Sequence, residues 1–313
     1  MPDNKIQMPS PGTEWMSGSF GIGVHWTNRS VPASGEAVPF LRAAEAFNVP
    51  RFVEQLQEMG ARHCIFTLAH AEQFLPLPHP SAAEILPGRT ARRDLAGELA
   101  DALRAAGIRL ILYYNHSCNG SDDFPWQQAV GYREGPLDSM AERLCGIVAH
   151  IAERYRGRFD GWWFDSCYTL DPRGPYDFTT RPMGEWRFPW DKLAEAARSG
   201  SQEAALTFNA GPGERYLYTL RQEYYSGEAE TLDSAYEPEP EDLLLRHRWV
   251  CIDNPAWVHT EPGFHPCRFT DAALRDFMTG HLSHGTMVTL NVEIDQNGAF
   301  NPASLRQLNR LEK

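Results

Sequence analysis

The sequence has no hydrophobic run long enough to cross a membrane and no excess of positive charge. A spanning helix needs about 20 consecutive apolar residues, and the chain of 313 residues contains no such stretch. Acidic residues number 41 and basic residues 29, which gives a formal net charge of −12 at pH 7. This sign disfavours nucleic acids and anionic membrane surfaces as partners. The composition therefore favours a neutral small-molecule substrate.

No CxxC pair is present, and the spacing of the six cysteines is not that of a disulfide framework or a zinc site. The first 15 residues are rich in Pro, Ser and Gly and lack the apolar core of a secretory signal. Both features favour reduced thiols and a cytoplasmic location. We expect residues 1–15 to form a loosely attached arm and residues 16–313 to form one domain. The cysteines lie far apart, without a CxxC pair, at Cys64, Cys118, Cys145, Cys167, Cys251 and Cys267.

Motifs that bind cofactors are also missing. The glycines of GSFGIGVHW (18–26) lie within a predicted strand, and no GxGxxG motif opens a helix after it. There is no P-loop. His25, His70, His116 and Asp165 could together form a nitrogen and oxygen metal cluster, but no HxH or HExxH pair supports one. We therefore expect neither a cofactor nor a metal.

Short apolar segments alternate with amphipathic helical patterns along most of the chain. Such alternation is typical of a parallel α/β sheet, and eight units favour a (β/α)8 TIM-like barrel over an open sheet. Long Gly/Pro-rich or acidic loops join strands five to seven, so the barrel should be irregular. The predicted strands are 19–26, 63–70, 108–116, 161–166, 205–211, 222–228, 248–254 and 286–294. The predicted helices are 49–60, 93–107, 137–157, 191–200, 271–285 and 301–313.

The segment GRFDGWWFDSCY (157–168) is the most informative stretch of the chain. The apolar run 162–164 predicts a buried strand, which ends in the carboxylate of Asp165. Barrel enzymes place catalytic groups at this end of their strands. The alternative is that Asp165 only caps the following turn, which is a common role of Asp.

Polar and aromatic residues recur at the ends of seven predicted strands, which indicates a shared pocket. This mixture suits a sugar, because hydroxyl groups need polar partners and the apolar face of a sugar needs an aromatic platform. Aromatic candidates nearby are Trp163 and Trp257. The strand-end candidates are His25, Trp26, His70, Glu72, Tyr114, Asn115, His116, Asp165, Asn209, Glu228 and Asn291.

These motifs resemble, in the same order, those of glycoside hydrolase family 29, the α-L-fucosidases. FGIGVHW (20–26), the segments 47–74 and 92–114, GWWFDS (161–166), YYSGE (224–228) and 286–302 carry the resemblance. It implies a catalytic barrel and a retaining exo-glycosidase. Asp165 would be the nucleophile and Glu228 the acid/base, with His25, His70 and Phe74 among the sugar-binding residues.

The chain departs from the family pattern at the sugar-binding positions. In AHAEQF (69–74) Ala71 replaces a sugar-contacting His, and NAGPG (209–213) lacks an Arg that holds the sugar. Glu293 stands in the family's Val-Gly-Pro segment, and no C-terminal β-sandwich is expected. The substrate should therefore be a non-standard fucose-like or natural-product glycoside, with altered groups reached by Glu72, Gln73, Arg215 or Glu293.

Alternatives remain for both the acid/base and the function. Other loop glutamates could serve as the acid/base: Glu214, Glu223, Glu230, Glu237 and Glu261. The same scaffold could instead carry out lyase chemistry or glycosyl transfer. The third hypothesis for the function is a barrel that binds carbohydrate without catalysing a reaction.

Overall fold

A computed structural model describes residues 12–120, 122–233 and 244–311. Eight strands, all parallel, form one curled sheet with helices outside it, in the order β5-β4-β3-β2-β1-β8-β7-β6. This is the predicted irregular TIM-like α/β barrel. The strands are β1 (Phe20–Val24), β2 (His63–Ala69), β3 (Arg109–Asn115), β4 (Gly161–Asp165), β5 (Ala205–Phe208), β6 (Glu228–Ala229), β7 (His247–Cys251) and β8 (Met287–Asn291).

The longer helices lie where the sequence predicts them, and three short ones, of six or seven residues, were not predicted. The short helices are α1 (Phe40–Ala46), α3 (Pro80–Ile85) and α5 (Phe124–Val130). The predicted helices are α2 (Val49–Glu58), α4 (Leu95–Ala105), α6 (Leu137–Arg154), α7 (Trp190–Arg198), α8 (Asp271–Ser283) and α9 (Pro302–Leu311). None of the helices among the described residues is long and apolar enough to span a membrane.

Strand β6 differs from its prediction. The sequence predicts a strand over 222–228, but only Glu228 and Ala229 pair as a strand, with β7. Gly227 adopts φ +71° and ends the extended run before it. The preceding segment links the two edges of the sheet instead: the Glu223 amide donates to Leu206 of β5 over 2.9 Å and the Tyr225 amide to Leu245 over 3.0 Å.

Side chains alternate between the barrel interior and the layer beneath the helices, as the two-residue period of a strand requires. On β3 and β4, Tyr113 and Trp163 point into the barrel, whereas Tyr114 and Phe164 pack towards the helices. Gly23 of β1 makes room for this interior. A Cβ at that position would lie 2.4 Å from Nε1 of the interior Trp249.

The amino-terminal end of the barrel is closed by residues that the sequence assigns to the boundary of the arm. A 3₁₀ turn over Glu14–Met16 places Met16, fully buried, in the interior cluster beside Ile65 and Ile111. Thr13 is also buried. Residues 1–11 of the expected arm lie outside the described residues.

Candidate active site

The carboxyl ends of the strands bring many of the predicted site residues into one cluster. The ring of His25, which follows β1, lies 5.2 Å from that of His70, which follows β2, and 5.1 Å from that of Trp257. Asp165 ends β4 next to Asn115 at the end of β3, since the two residues are register partners. These side chains come together because parallel strands all end at the same face of a barrel.

Asp165 is held by four hydrogen-bond donors. Its Oδ2 accepts from the Tyr113 hydroxyl and, over 3.1 Å, from Nδ2 of Asn115. Its Oδ1 accepts from Nδ2 of Asn209 over 2.9 Å and from the Ser166 amide over 2.7 Å. Burial favours the protonated acid, but the bonds from Tyr113 and Asn209 outweigh it and hold the pKa of Asp165 below its ordinary value. Asp165 is therefore a fixed carboxylate.

Glu228, the first residue of β6, shares a donor with Asp165. Nδ2 of Asn209 donates to Oε2 of Glu228 over 2.7 Å and to Oδ1 of Asp165 over 2.9 Å. These two carboxylate oxygens are therefore no farther apart than 5.6 Å, the sum of the two bonds. Burial and the negative charge of Asp165 raise the pKa of Glu228 to about 7. Two neighbouring carboxyl groups thus differ in protonation near neutral pH.

His25 and His70, both neutral, line the side of the cluster opposite β6, the strand that carries Glu228. Burial, reinforced by the neighbouring His70, lowers the pKa of His25 to about 3, while Nδ1 of His25 pairs with Oδ1 of Asn291 over 2.9 Å. Burial also lowers the pKa of His70. Nδ1 of His70 is buried without a hydrogen-bond partner. A buried polar atom in this position is free to bind a ligand hydroxyl.

Aromatic rings form the floor of the cluster. Trp163 stacks on Tyr113, with ring centroids 5.2 Å apart and an 11° angle between the planes, and it meets Trp249 edge-on at 4.8 Å. Trp249 in turn contacts Trp257 at 5.5 Å. The sequence reasoning missed Tyr113 and Trp249. The signal that identifies Tyr113 is its spacing of two residues from Asn115, which puts both on the interior face of β3.

Three residues predicted to bind the sugar point away from the cluster. Trp26 is buried against Phe40 and Phe47 beneath the helices, and its Nε1 donates to the Gln296 carbonyl over 3.1 Å. Tyr114 and Phe74 also pack into that outer layer. The reason is the strand period: Trp26 and Tyr114 each stand next to an inward-facing residue and so face outwards.

The other polar candidates have partners of their own. Glu72 pairs at the surface with Arg29 over 3.2 Å, and Gln73 is buried, accepting from the Tyr114 hydroxyl over 3.2 Å. Nε2 of His116 pairs with the Ser166 carbonyl over 2.8 Å, so this histidine fixes the turn after Asp165. These contacts already engage the three side chains, and sugar contacts of Glu72, Gln73 and His116 stay predictions.

Glu293 lies in a separate buried cluster. It accepts from Nδ1 of His259 and from Nδ1 of His265, both over 2.8 Å, and its side chain has no exposed surface. Its role is to bind the loop between β7 and α8, which carries Trp257. The sequence-based expectation that Glu293 reaches the substrate is not met by this geometry.

The alternative acids lie elsewhere or outside the described residues. Glu223 forms an ion pair with Arg198 and accepts from the Leu206 amide over 3.3 Å. Glu230 and Glu261 are exposed. Glu237 is outside the described residues. Of the candidates that the structure describes, Glu228 is the one that shares a donor with Asp165.

Strained backbone marks the same end of the barrel. Among the described residues, four other than glycine have positive φ, and each lies in the segment that follows the carboxyl end of a strand: Ala71, Ser117, Ser166 and Trp257, with φ between 55° and 68°. Such conformations are costly for residues with a side chain and cluster at functional sites.

Across residues 12–120, 122–233 and 244–311, no group of three or more His, Cys, Asp or Glu side chains is arranged to hold a metal ion.

Solved structures share this architecture. An endo-fucoidan hydrolase of glycoside hydrolase family 107 superposes with a TM-score of 0.68 at 18% identity, covering 98% of this chain and 54% of that one. An α-L-fucosidase from Lactobacillus casei, in complex with its α-L-fucose product, superposes with a TM-score of 0.66 at 14% identity, covering 97% of each chain. At these identities the likeness concerns the fold.

Sequence comparison supplies the family. A Caenorhabditis elegans protein with the provisional name alpha-L-fucosidase is 34% identical over 77 residues, which are 23% of this chain and 15% of that protein. The chain thus spans only part of this relative, and about half of the endo-fucoidan hydrolase. The family model of the alpha-L-fucosidases matches residues 36–313. The chain belongs to the alpha-L-fucosidase family.

Proposed function

We propose that this protein is a retaining exo-glycosidase, with Asp165 as nucleophile and Glu228 as acid/base. One observation carries the proposal: Nδ2 of Asn209 binds both carboxylates, which limits the separation of the two bonded oxygens to 5.6 Å, the sum of 2.9 and 2.7 Å. Retaining glycosidases hold their two carboxyl groups about 5–5.5 Å apart, whereas inverting enzymes need about 6.5–9.5 Å to admit a water.

The proposed reaction is a double displacement. The Asp165 carboxylate attacks the anomeric carbon, the glycosidic C–O bond breaks, and Glu228 gives its proton to the leaving oxygen. A covalent glycosyl-enzyme results. Glu228, now ionised, takes a proton from water as the water oxygen attacks the anomeric carbon, and the Asp165 carboxylate is released. The low pKa of Asp165 and the raised pKa of Glu228 suit these opposite roles.

The proposed substrate is a neutral glycoside of a fucose-like sugar. Similar structures include one with bound α-L-fucose and one named as a fucoidan hydrolase. The partly exposed ring of Trp257, supported from below by the buried Trp249, offers a platform for an apolar sugar face. Ala71 and Gly211 lack the polar side chains that the family pattern has there, so we propose that the sugar differs from fucose at the hydroxyls that those side chains meet.

We also propose that the protein works in a reducing compartment such as the cytoplasm. All six cysteines are free thiols, and four of them are buried. Persistent disulfides are characteristic of oxidising compartments.

The decisive test is the fate of the anomeric centre. A panel of aryl glycosides is offered to the protein, and the anomeric configuration of the first product is read by NMR. Retention is expected. Asp165→Ala should then lose activity by several orders of magnitude, and azide should restore it with an inverted glycosyl azide as product. Exposed Asp101, on α4 outside the sheet, supplies a control, Asp101→Ala, expected to retain activity.

Other outcomes would overturn the proposal. An inverted product, an unsaturated product of elimination, or ordinary turnover by Asp165→Ala would each contradict the mechanism. Sugar binding by calorimetry without any turnover would support the non-catalytic reading instead.

A further inference from the structure

Three aromatic side chains on the loop after β4 form a patch at the rim of the barrel. Tyr168 lies in the 3₁₀ turn Cys167–Thr169, three residues after Asp165. Its ring centroid is 5.4 Å from that of Phe178 and 6.4 Å from that of Tyr176, and the last two rings are stacked at 5.8 Å. We call Tyr168, Tyr176 and Phe178 the rim patch. Phe178 is 54% exposed, so the patch presents apolar surface to solvent.

The rim patch adjoins the two carboxylates. The Tyr176 ring lies over Gly211, where a Cβ would come within 2.4 Å of Cε2 of the ring. The amide of Gly211 donates to Oδ1 of Asn209 over 3.1 Å, and Asn209 is the residue that binds both Asp165 and Glu228. Two residues, Gly211 and Asn209, therefore connect Tyr176 to the two carboxylates.

Gly211 explains why an aromatic ring can stand here. The family resemblance places an Arg that holds the sugar in the segment 209–213, and this chain has glycine at 211 instead. Any side chain at 211 would collide with Tyr176, and the φ of +116° at this residue also favours glycine. The ring of Tyr176 thus occupies space that a side chain at 211 would otherwise fill.

We propose that the rim patch is the subsite for the leaving group, and that this group presents a flat apolar face to Tyr176 and Phe178. The inference rests on the proposed function, because an acid/base must stand beside the leaving oxygen. Flat apolar faces, whether of an aryl ring or of a second sugar, bind well to exposed aromatic side chains. An aliphatic leaving group as small as methanol would leave the rings uncovered.

The test compares the 4-nitrophenyl, methyl and glucosyl glycosides of the sugar that the panel identifies. Tyr176→Ala and Phe178→Ala should each lower kcat/KM for the 4-nitrophenyl glycoside by about 2- to 12-fold, mainly through KM, and leave the methyl glycoside unchanged. A parallel loss on the glucosyl glycoside identifies a sugar as the natural leaving group; its absence identifies an aryl group. Both support the subsite.

Phe124→Ala is the matched control. Phe124 is 51% exposed, similar to Phe178, but it contacts Arg133 instead of the patch. It should behave as wild type on all three substrates. Because Phe178 is exposed, Phe178→Ala is expected to fold, and circular dichroism checks this.

Failure of the subsite is distinct from failure of the proposed function. Equal losses on aryl and methyl glycosides, or no loss on any, would overturn the subsite while hydrolysis itself stands. If no glycoside is cleaved, the proposed function fails. Calorimetry with 4-nitrophenyl and methyl α-L-fucosides then tests the rim patch by itself. Tighter binding of the aryl compound, lost in Phe178→Ala, would support the subsite. Equal binding of the two compounds would overturn it.

Discussion

The hydroxyl of Tyr113 donates a hydrogen bond to Oδ2 of Asp165. The phenol is held in place by the stacking of its ring on Trp163, and burial raises its own pKa well above the usual value, so it remains a donor at any physiological pH. A carboxylate that accepts such a bond is both oriented and stabilised in its charged form. Tyr113 is therefore expected to hold Asp165 ready for attack.

Tyr113→Phe removes this bond and leaves the ring. Hydrogen bonds to charged groups contribute about 1.5–3 kcal/mol, so kcat/KM should fall by about 10- to 150-fold, mostly in kcat. The pKa of Asp165 should rise, which moves the acidic limb of the pH–rate profile to higher pH. Tyr114→Phe is the control, since the Tyr114 hydroxyl bonds to Gln73 in the outer layer. Similar pH profiles for Tyr113→Phe and wild type would show that the bond does not tune Asp165.

The two carboxyl groups predict a bell-shaped pH dependence of kcat/KM. The proposed mechanism requires Asp165 ionised and Glu228 protonated. It should therefore rise with pH through the lowered pKa of Asp165 and fall again as Glu228 loses its proton, near pH 7. Because the groups interact, the two limbs report the pair as a whole. Stopped assays with a 4-nitrophenyl glycoside between pH 3 and about 10 measure both limbs.

Glu228→Gln should abolish the alkaline limb. It should slow substrates with poor leaving groups far more than activated aryl glycosides, because only the former need the proton. Glu261→Gln, an exposed loop residue, is the control. Equal losses on both substrate types would point to another acid, and Glu237 would be the next to replace.

Strand ends could be located from the sequence, but the direction of each side chain there needs the exact register. The same alternation that places Asp165 and Asn115 in the site excludes Tyr114 and Trp26, which the sequence reasoning included. Counting back two residues from Asn115 selects Tyr113. The eight-strand barrel and its irregular region could be predicted from the sequence, because the spacing of apolar residues distinguishes helical segments from strands along the chain.

Other features depend on contacts between distant segments, which no local pattern reveals. Trp249 comes from β7 and enters the site because Gly23 of β1 leaves space for it. Glu293 looks like a pocket residue by its place after β8, but His259 and His265 of another loop enclose it. The short β6 likewise depends on where the segment before Gly227 meets β5 and Leu245, which precedes β7.

Glu293 should be required for stability more than for chemistry. Glu293→Ala leaves buried donors, among them Nδ1 of His259 and the His265 amide, without their acceptor. An unsatisfied buried donor costs about 1–3 kcal/mol, so the free energy of unfolding should fall by at least that amount in urea titrations. KM should also rise, since the loop that it binds carries Trp257. Glu261→Ala, on the same loop but exposed, should be neutral. A large loss of kcat with unchanged stability would instead assign Glu293 a direct role in the reaction.

The last prediction concerns the sugar. Ala71 and Gly211 provide no polar side chain where the family pattern has a His and an Arg, and sites that lose such partners lose discrimination for the matching hydroxyls. We expect simple aryl α-L-fucosides to be hydrolysed with kcat/KM well below about 10⁴ M⁻¹s⁻¹, the lower end of the ordinary enzyme range. Ala71→His should raise that value about 2- to 12-fold, because one added neutral hydrogen bond contributes about 0.5–1.5 kcal/mol. His also tolerates the φ of 55° at this position better than most residues. Glu72→Gln, at the neighbouring surface position paired with Arg29, is the control and should leave the fucoside rate unchanged. Ordinary efficiency of the wild type on aryl α-L-fucosides would show that the two departures do not change the sugar.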